Sequence, residues 1–321
     1  MPRRTVAALI AAVSATVLAA APATPAAAAA TCRPDGGPAC HVWTGQVAWV
    51  ADGDTLLVDV AGDGTSTPRS IRLIGVQSME QTVYSAVASR RRGECHALAA
   101  TARVEQLVRA GGGTVRMTAQ KTSSASRSRP LRSVAVKING RWRDIGYELL
   151  RYGYALWWPD RAEYAWNSVY RRAAQQAAGE RRNLYDTDYC GTGPMQSAKL
   201  SVQVNYDATG ADDQNINGEW IKVSNASGGP VQLGGWWVRD SALRRYTFPA
   251  GTAVPARGAV YVHVGKGRAT ATRKYWGLTA PAFDNPTSDA LAIGDGGYLF
   301  DPRGDLRAWM IYPCVVACPT G

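Results

Sequence analysis

Five side chains between Val47 and Glu80 carry the types needed for chemistry on a phosphodiester: Asp54, Arg72, Gln77, Ser78 and Glu80. A hard cation such as Ca²⁺ takes oxygen ligands from carboxylates, carbonyls, amides and water. Arginine holds a phosphate through paired hydrogen bonds and keeps its proton at any ordinary pH. A glutamate beside such a cation can orient or deprotonate an attacking water. Taken singly the fragments are ordinary, since D-G-D-T is a common turn and an Arg in a strand usually faces solvent. Their order along one short stretch is what makes them specific.

The elements that would position these groups are two strands. V-A-W-V-A-D-G-D-T-L-L-V-D-V alternates or runs apolar, with a turn at Asp52-Gly53-Asp54, and S-I-R-L-I-G-V follows the Gly/Asp/Ser/Thr/Pro cluster of residues 61–68. This is a hairpin pattern. It places Asp54 where a strand re-enters the sheet, Arg72 inside the next strand, and Gln77, Ser78 and Glu80 just past its end.

The stretch resembles the staphylococcal-nuclease-like (thermonuclease) family on Asp52-Gly53-Asp54-Thr55, Arg72-Leu73-Ile74-Gly75-Val76, Gln77 and Met79-Glu80, and the likeness runs to about Tyr185. The resemblance implies an OB-like five-stranded barrel with helices and Ca²⁺-dependent endonuclease-type hydrolysis of DNA or RNA, with release of the 5′-oxygen. It assigns the metal to Asp54, Gln77 and the Ser78 backbone carbonyl, and catalysis to Arg72, Glu80 and a second arginine on a later strand. Within R-S-R-P-L-R-S-V-A-V, Arg132 fits that second arginine best and Arg129 is the competitor. Trp157 or Trp158 is the expected stacking surface for a nucleotide base, with at least one of them in the core. The family usually has an Asp where this chain has Gln77. The loss of one negative charge predicts a weaker calcium site.

Charge fits a polyanionic partner. The chain of 321 residues carries +11, and residues 42–190 hold a net excess of about +7 against about +2 for residues 199–312. Arginine outnumbers lysine 30 to 6, so part of this can be compositional bias. Residues 1–30, with Arg3 and Arg4 ahead of an apolar and then Ala-rich run, read as a secretory signal peptide, and hence the protein as secreted. No other apolar run is long enough to span a membrane. The six cysteines all lie beyond residue 30, as an exported disulfide protein requires. Six cysteines allow fifteen pairings; the expectation is two local pairs, Cys32–Cys40 and Cys314–Cys318, leaving Cys95–Cys190. Three dispersed histidines argue against zinc and against a His-based nuclease.

Helical patterns are expected at 94–109, 142–154 and 164–182, and strands at 114–120 and 132–138. Arg90-Arg91-Arg92 sits in an insertion-like loop that reads as a basic flap over the substrate or as a solvated charge run. After a Gly/Pro linker at 191–198 the texture changes to short β runs at regular spacing, the pattern of an all-β sandwich. N-G-E-W-I-K-V-S-N, L-G-G-W-W-V-R-D, Y-T-F-P and D-A-L-A-I resemble the lamin-tail domain, an immunoglobulin-like sandwich, over about 199–312. One of Trp236 and Trp237 is expected in its core and the other outward. The expected division is therefore signal peptide 1–30, Cys-paired segment 31–41, nuclease-like domain 42–190, linker, sandwich 199–312 and Cys-containing tail 313–321. In an alternative reading the N-terminal domain binds nucleic acid without cleaving it. The sandwich would then act as a targeting module for cell envelope, polymer or partner. Oligomeric state is not legible.

Overall fold

The computed structural model describes Cys32 and residues 39–318. The expected signal peptide therefore lies outside the described residues. The protein is mainly β, with few helices. In the N-terminal half, β1 (His41–Val50), β2 (Thr55–Val60) and β3 (Arg69–Leu73) form an antiparallel meander. Helix α1 (Cys95–Ala110) follows, then β4 (Thr114–Ala119), β5 (Arg129–Ile138), β6 (Arg141–Asp144), α2 (Ile145–Arg151) and α3 (Asn167–Gly179).

The pairings of five strands close on themselves. β1 pairs with β2 and β2 with β3; β3 runs parallel to β5, β5 is antiparallel to β4, and β4 returns to β1. The alternation of β2 and β5 sends Leu56, Val58, Val134 and Val136 into the core, where they are fully buried. The expected helix at 142–154 begins later than its apolar spacing suggests. Arg141–Asp144 pairs with β5 as a strand, and the Asp144 side chain accepts the backbone N–H of Tyr147, capping α2.

The C-terminal half is a sandwich of two four-stranded sheets. β7 (Leu200–Asn205), β8 (Trp220–Asn225), β11 (Ala259–His263) and β12 (Arg273–Tyr275) form one sheet. β9 (Trp237–Arg239), β10 (Arg245–Thr247), β13 (Asp295–Phe300) and β14 (Leu306–Tyr312) form the other, in the order β10-β9-β13-β14. Ile221, Val223, Val238, Val260, Val262 and Leu299 meet between them. The D-A-L-A-I word at 289–293 forms no strand.

Both tryptophans of the W-W pair are buried, which corrects the expectation that one points outward to solvent. Trp236 lies in the sandwich core. Trp237 faces away from it, stacks on Phe300 at 5.5 Å and joins the core of the N-terminal half with Leu306 and Ile311. The halves are also joined by polar contacts. The Gln175 amide donates to the carbonyls of Ile311 and Pro313 at 3.1 and 3.0 Å and accepts from the N–H groups of Val315 and Val316. Asn167 donates to the Leu291 carbonyl at 2.8 Å.

The three disulfides are Cys32–Cys40, Cys95–Cys190 and Cys314–Cys318, as expected. His96 is buried beside the second, with Nε2 3.5 Å from Cys190 Sγ and its ring stacked on Tyr189. Cys95, His96 and Cys190 stand close enough to hold a metal, but the bridge consumes both thiolates. Among the described residues no helix is long and apolar enough to cross a membrane.

Burial pulls the His96 imidazole down to about 4. Between pH 6.5 and 4 the unfolded chain takes up a proton there that the folded chain refuses, so stability falls as pH drops through that window. The loss is at most about 3 kcal/mol. His96→Gln should flatten the decline of melting temperature between pH 7 and pH 4 relative to wild type. Parallel curves would show that His96 is not the group responsible.

Candidate active site

The Asp52-Gly53-Asp54 turn ends β1 and starts β2. Ala51 and Asp52 N–H groups both reach the Thr55 carbonyl, and the Asp52 carboxylate accepts the Asp54 N–H at 2.9 Å. Gly53 is packed so closely that a Cβ there would lie 2.6 Å from that of Ala100 and 2.8 Å from that of Ser78. Its lack of a side chain lets α1 and the 77–78 segment close on the turn.

Asp54 is the hub. Its Oδ1 forms a buried ion pair with Arg72 Nη1 at 2.8 Å and accepts from Thr55 Oγ1. Its Oδ2 accepts from Ser78 N–H at 2.8 Å and Ser78 Oγ at 2.9 Å. Arg72 is brought opposite Asp54 by the β2–β3 register, in which Thr55 faces Arg72. Gln77 is fixed by a short antiparallel pairing of Val76–Gln77 with Leu156–Trp157. Its Oε1 accepts from Arg72 Nη2 at 2.8 Å. Its Nε2 then faces three oxygens: Ser78 O at 3.1 Å, Glu80 Oε1 at 3.2 Å and Asp54 Oδ2 at 3.5 Å. Glu80 stands exposed at the mouth, its N–H held by the Glu94 carboxylate at 3.1 Å.

Asp54, Arg72, Gln77 and Glu80 line one cavity of ≈ 300 Å³, together with Asp52, Tyr84, Arg127, Arg129 and Trp158, and Ser78 is buried beside it on Asp54. Its lining sets three carboxylates, Asp52, Asp54 and Glu80, against three arginines, Arg72, Arg127 and Arg129. Burial, then the neighbouring Asp54, pushes Asp52 up to about 7, and the same two causes in the same order raise Glu80. The donor set consists of oxygens only, and three of them converge on one positively polarised N–H₂ group. Such a donor set fits a hard dication in its chemistry. The Gln77 amide must turn its nitrogen away for the oxygens to accept one.

Two expected site residues lie elsewhere. Arg132 does not enter the cleft. It pairs with Leu73, on the face of β5 opposite to Arg129, because successive residues of a strand point to opposite faces. Its guanidinium donates to the Ser124, Leu131 and Thr122 carbonyls and lies 4.2 Å from the Trp43 ring, in a separate pocket. Arg129, in the cleft, donates to Thr55 Oγ1 at 3.2 Å. Of the two arginines, Arg129 is therefore the one that lines the cleft. Trp157 is fully buried in the core, whereas the half-buried Trp158 lines the cleft. The basic triplet is neither flap nor uniform solvated run: Arg91 is buried on Glu105 at 2.6 Å, and none of the three lines the cleft.

The reading of the sequence passed over Asp52, Tyr84 and Arg127, although Asp52 stood within the D-G-D-T word. It also passed over Ala242 and Leu243, which line the same cavity from the sandwich. Residues 195–313 match the family model of the Lamin Tail Domain. The match covers less than half of the chain and stops short of Asp54, Arg72 and Glu80. No curated protein matches the chain. The lamin tail domain thus carries the hairpin that supplies Ala242 and Leu243.

The geometry separates the two arginines. Arg129→Ala should reduce any phosphodiesterase rate by at least about tenfold with little change in melting temperature. Arg132→Ala should instead lower the melting temperature, since three carbonyls, that of the buried Ser124 among them, lose their donor. The reverse pattern would return the role to Arg132.

Proposed function

We propose that this chain is a secreted, calcium-dependent nuclease that hydrolyses phosphodiester bonds of DNA or RNA. We further read the closed five-strand circuit as an OB-like barrel joined to an immunoglobulin-like lamin tail domain. The observation that carries the reading is the convergence of Asp54, Arg72, Gln77 and Glu80 in one cleft, with Ser78 bonded to Asp54 beside it, in the order and spacing of the thermonuclease motifs.

Asp54, the Ser78 carbonyl and the Gln77 side-chain oxygen would hold calcium, with Asp52 close behind. When bound, the ion supplies Lewis-acid polarisation of a phosphate oxygen. The remaining work falls to the chain. Arg72 uses Nη1 and one proton of Nη2 within the cleft floor; its Nε and second Nη2 proton make no hydrogen bond among the described residues and are free for a phosphate. Arg129 reaches the same space from β5. Together they stabilise charge that builds on the phosphate oxygens, the term that usually dominates such catalysis. Glu80, with its affinity for a proton raised by burial and by Asp54, orients water and takes its proton as the water oxygen bonds to phosphorus. The P–O bond opposite breaks, and the leaving oxygen takes up a proton from solvent. Trp158 and Tyr84 present aromatic surface to a base.

One observation favours a second reading, a binding module without turnover: the Gln77 amide nitrogen already satisfies the oxygens that calcium would take. The two readings part on one assay. Mature protein should cleave an oligonucleotide with millimolar Ca²⁺ and stop with chelator, and Glu80→Gln should slow it by about 10²-fold or more. Gln77→Asp should shift the calcium dependence to lower concentration, because it removes the competing N–H₂ and adds a charge. Binding without cleavage at any calcium level would leave the module reading standing. An unchanged calcium requirement in Gln77→Asp would remove Gln77 from the ligand set.

A further inference from the structure

The two sheets of the sandwich differ in what covers their outer faces. That of β10-β9-β13-β14 is covered by the N-terminal half, whose core takes in Trp237, Tyr298, Phe300 and Ile311. In the sheet of β7, β8, β11 and β12, Val202, Val204, Ile221, Val223, Val260 and Val262 face the sandwich core, so the alternate residues point outward. Among the described residues those outward side chains join neither hydrophobic core. We propose that this outward face is a second nucleic-acid-binding site, distinct from the cleft, that takes an unpaired stretch of the polymer. The proposal rests on the nucleic-acid reading above and adds a site to it.

Strand register sets the pattern of the face. Asn205, Trp220, His263 and Tyr275 stand in one row across the four strands, and Gln203, Lys222, Tyr261 and Arg273 in the next. Aromatic rings therefore occupy three adjacent strands. Trp220 meets Tyr261 edge-on at 5.2 Å, and the His263 ring lies nearly parallel to those of Tyr261 and Tyr275, at 6.4 and 5.3 Å. All four are half-buried. The cluster is ordered before anything binds. His263 Nδ1 donates to the Asn217 carbonyl at 2.8 Å, and Gly267 closes on Tyr275 so tightly that a Cβ there would lie 2.2 Å from the ring. Lys222 Nζ donates to Gln203 Oε1 at 3.0 Å and lies 5.9 Å from the centre of the Tyr261 ring. Groups fixed in advance lose less freedom on binding.

Charge selects the occupant. Between Glu219 and Asp284 the chain carries nine Lys and Arg but one acidic residue, Asp240, which is buried on Arg244. Neither row holds a carboxylate. Lys222 and Arg273 flank Tyr261, and Lys266 and Arg268 lie in the loop between β11 and β12. Among the described residues none of these four cations forms a salt bridge. Phosphates answer such cations, and the bases of an unpaired segment answer the rings, since every base has a face that stacks. Four-stranded sheets with aromatic side chains on neighbouring strands hold RNA in this way. A neutral polymer would leave Lys222 and Arg273 unanswered, and an apolar protein surface would bury them unpaired. Two sites on one chain make the second contact with a long polymer intramolecular, so the gain in affinity belongs to polymer long enough to reach both.

The test is binding of a fluorescent thymidine oligonucleotide of about 30 nucleotides to the full chain. It is read by anisotropy in chelator, where no cleavage intervenes. Lys222→Glu combined with Arg273→Glu should weaken binding by at least about tenfold. Arg109→Glu combined with Arg141→Glu makes the same change of charge at exposed positions outside both sites, and should weaken it by less than about threefold. Tyr275→Leu keeps apolar bulk and loses the ring; it should weaken binding by at least about fivefold. The charge-reversal pair carries the test should Tyr275→Leu not fold. Equal losses in the pair and its control would overturn the second site. So would binding of polygalacturonate that the pair abolishes while oligonucleotide binding stays intact. Cleavage with calcium is scored separately: the pair should raise KM for the long strand, hold kcat within about twofold and leave a tetranucleotide unaffected. The expected binding losses without any cleavage sink the hydrolase reading and keep the second site; cleavage with KM unmoved by the pair does the opposite.

Discussion

The cleft depends on one buried ion pair. Asp54 and Arg72 meet at 2.8 Å with both side chains nearly excluded from solvent, and each strand end around them is placed by what the pair leaves over. The second oxygen of Asp54 collects the N–H and hydroxyl of Ser78; the second nitrogen of Arg72 collects the Gln77 carbonyl oxygen. Loss of either partner would strand a charge in the interior at a cost of about 3–5 kcal/mol. The pair also gives Gln77 a physical rationale. Arg72 balances Asp54, and Asp52 is already a surplus carboxylate, pushed up to about 7. A further carboxylate at position 77 would add repulsion whenever no cation is present. The amide instead gives its oxygen to Arg72 and its nitrogen to the carboxylates, which holds the cleft together at lower charge.

The two halves are not independent beads. Trp237 and Phe300 belong to the sandwich by strand pairing and to the N-terminal core by packing. Gln175 satisfies four backbone groups of the C-terminal strand end and tail, so separation of the halves would leave these unpaired. A lamin tail domain attached in this way shapes the cleft rather than merely carrying it to a target, and the Glu80 loop rests on Arg239 and Glu94 from both sides of the junction.

Much of the N-terminal half was legible because its signals are local. Asp54 and Arg72 stand at the turn and on the last strand of one meander, with Gln77, Ser78 and Glu80 within the next eight residues, and a hairpin keeps neighbours in sequence neighbours in space. Period-2 alternation marked β2 and β5, and the sandwich strands showed as short β runs between turns. The pairing of the cysteines also followed the simplest local scheme. Legibility failed where a register decides. Arg129 and Arg132 are equally arginine in the sequence; only the pairing of Leu73 with Arg132 and of Arg72 with Leu131 shows which face each takes. Trp157 and Trp158 part for a similar reason, one packed into the core and the other at the cleft.

By itself, then, the sequence determined the motif order, the oxygen-rich and guanidinium chemistry, the β-rich texture of both halves and an even count of cysteines. These are properties of residue type and short-range spacing. Tertiary structure alone decided which arginine enters the cleft, where the Gln77 amide points, why neither Trp236 nor Trp237 meets solvent, and that Ala242 and Leu243 line the same cavity as Asp54. Each of these depends on contacts between segments far apart in the chain. Burial and strand register, which arise only on packing, assign such contacts, and no local pattern encodes them.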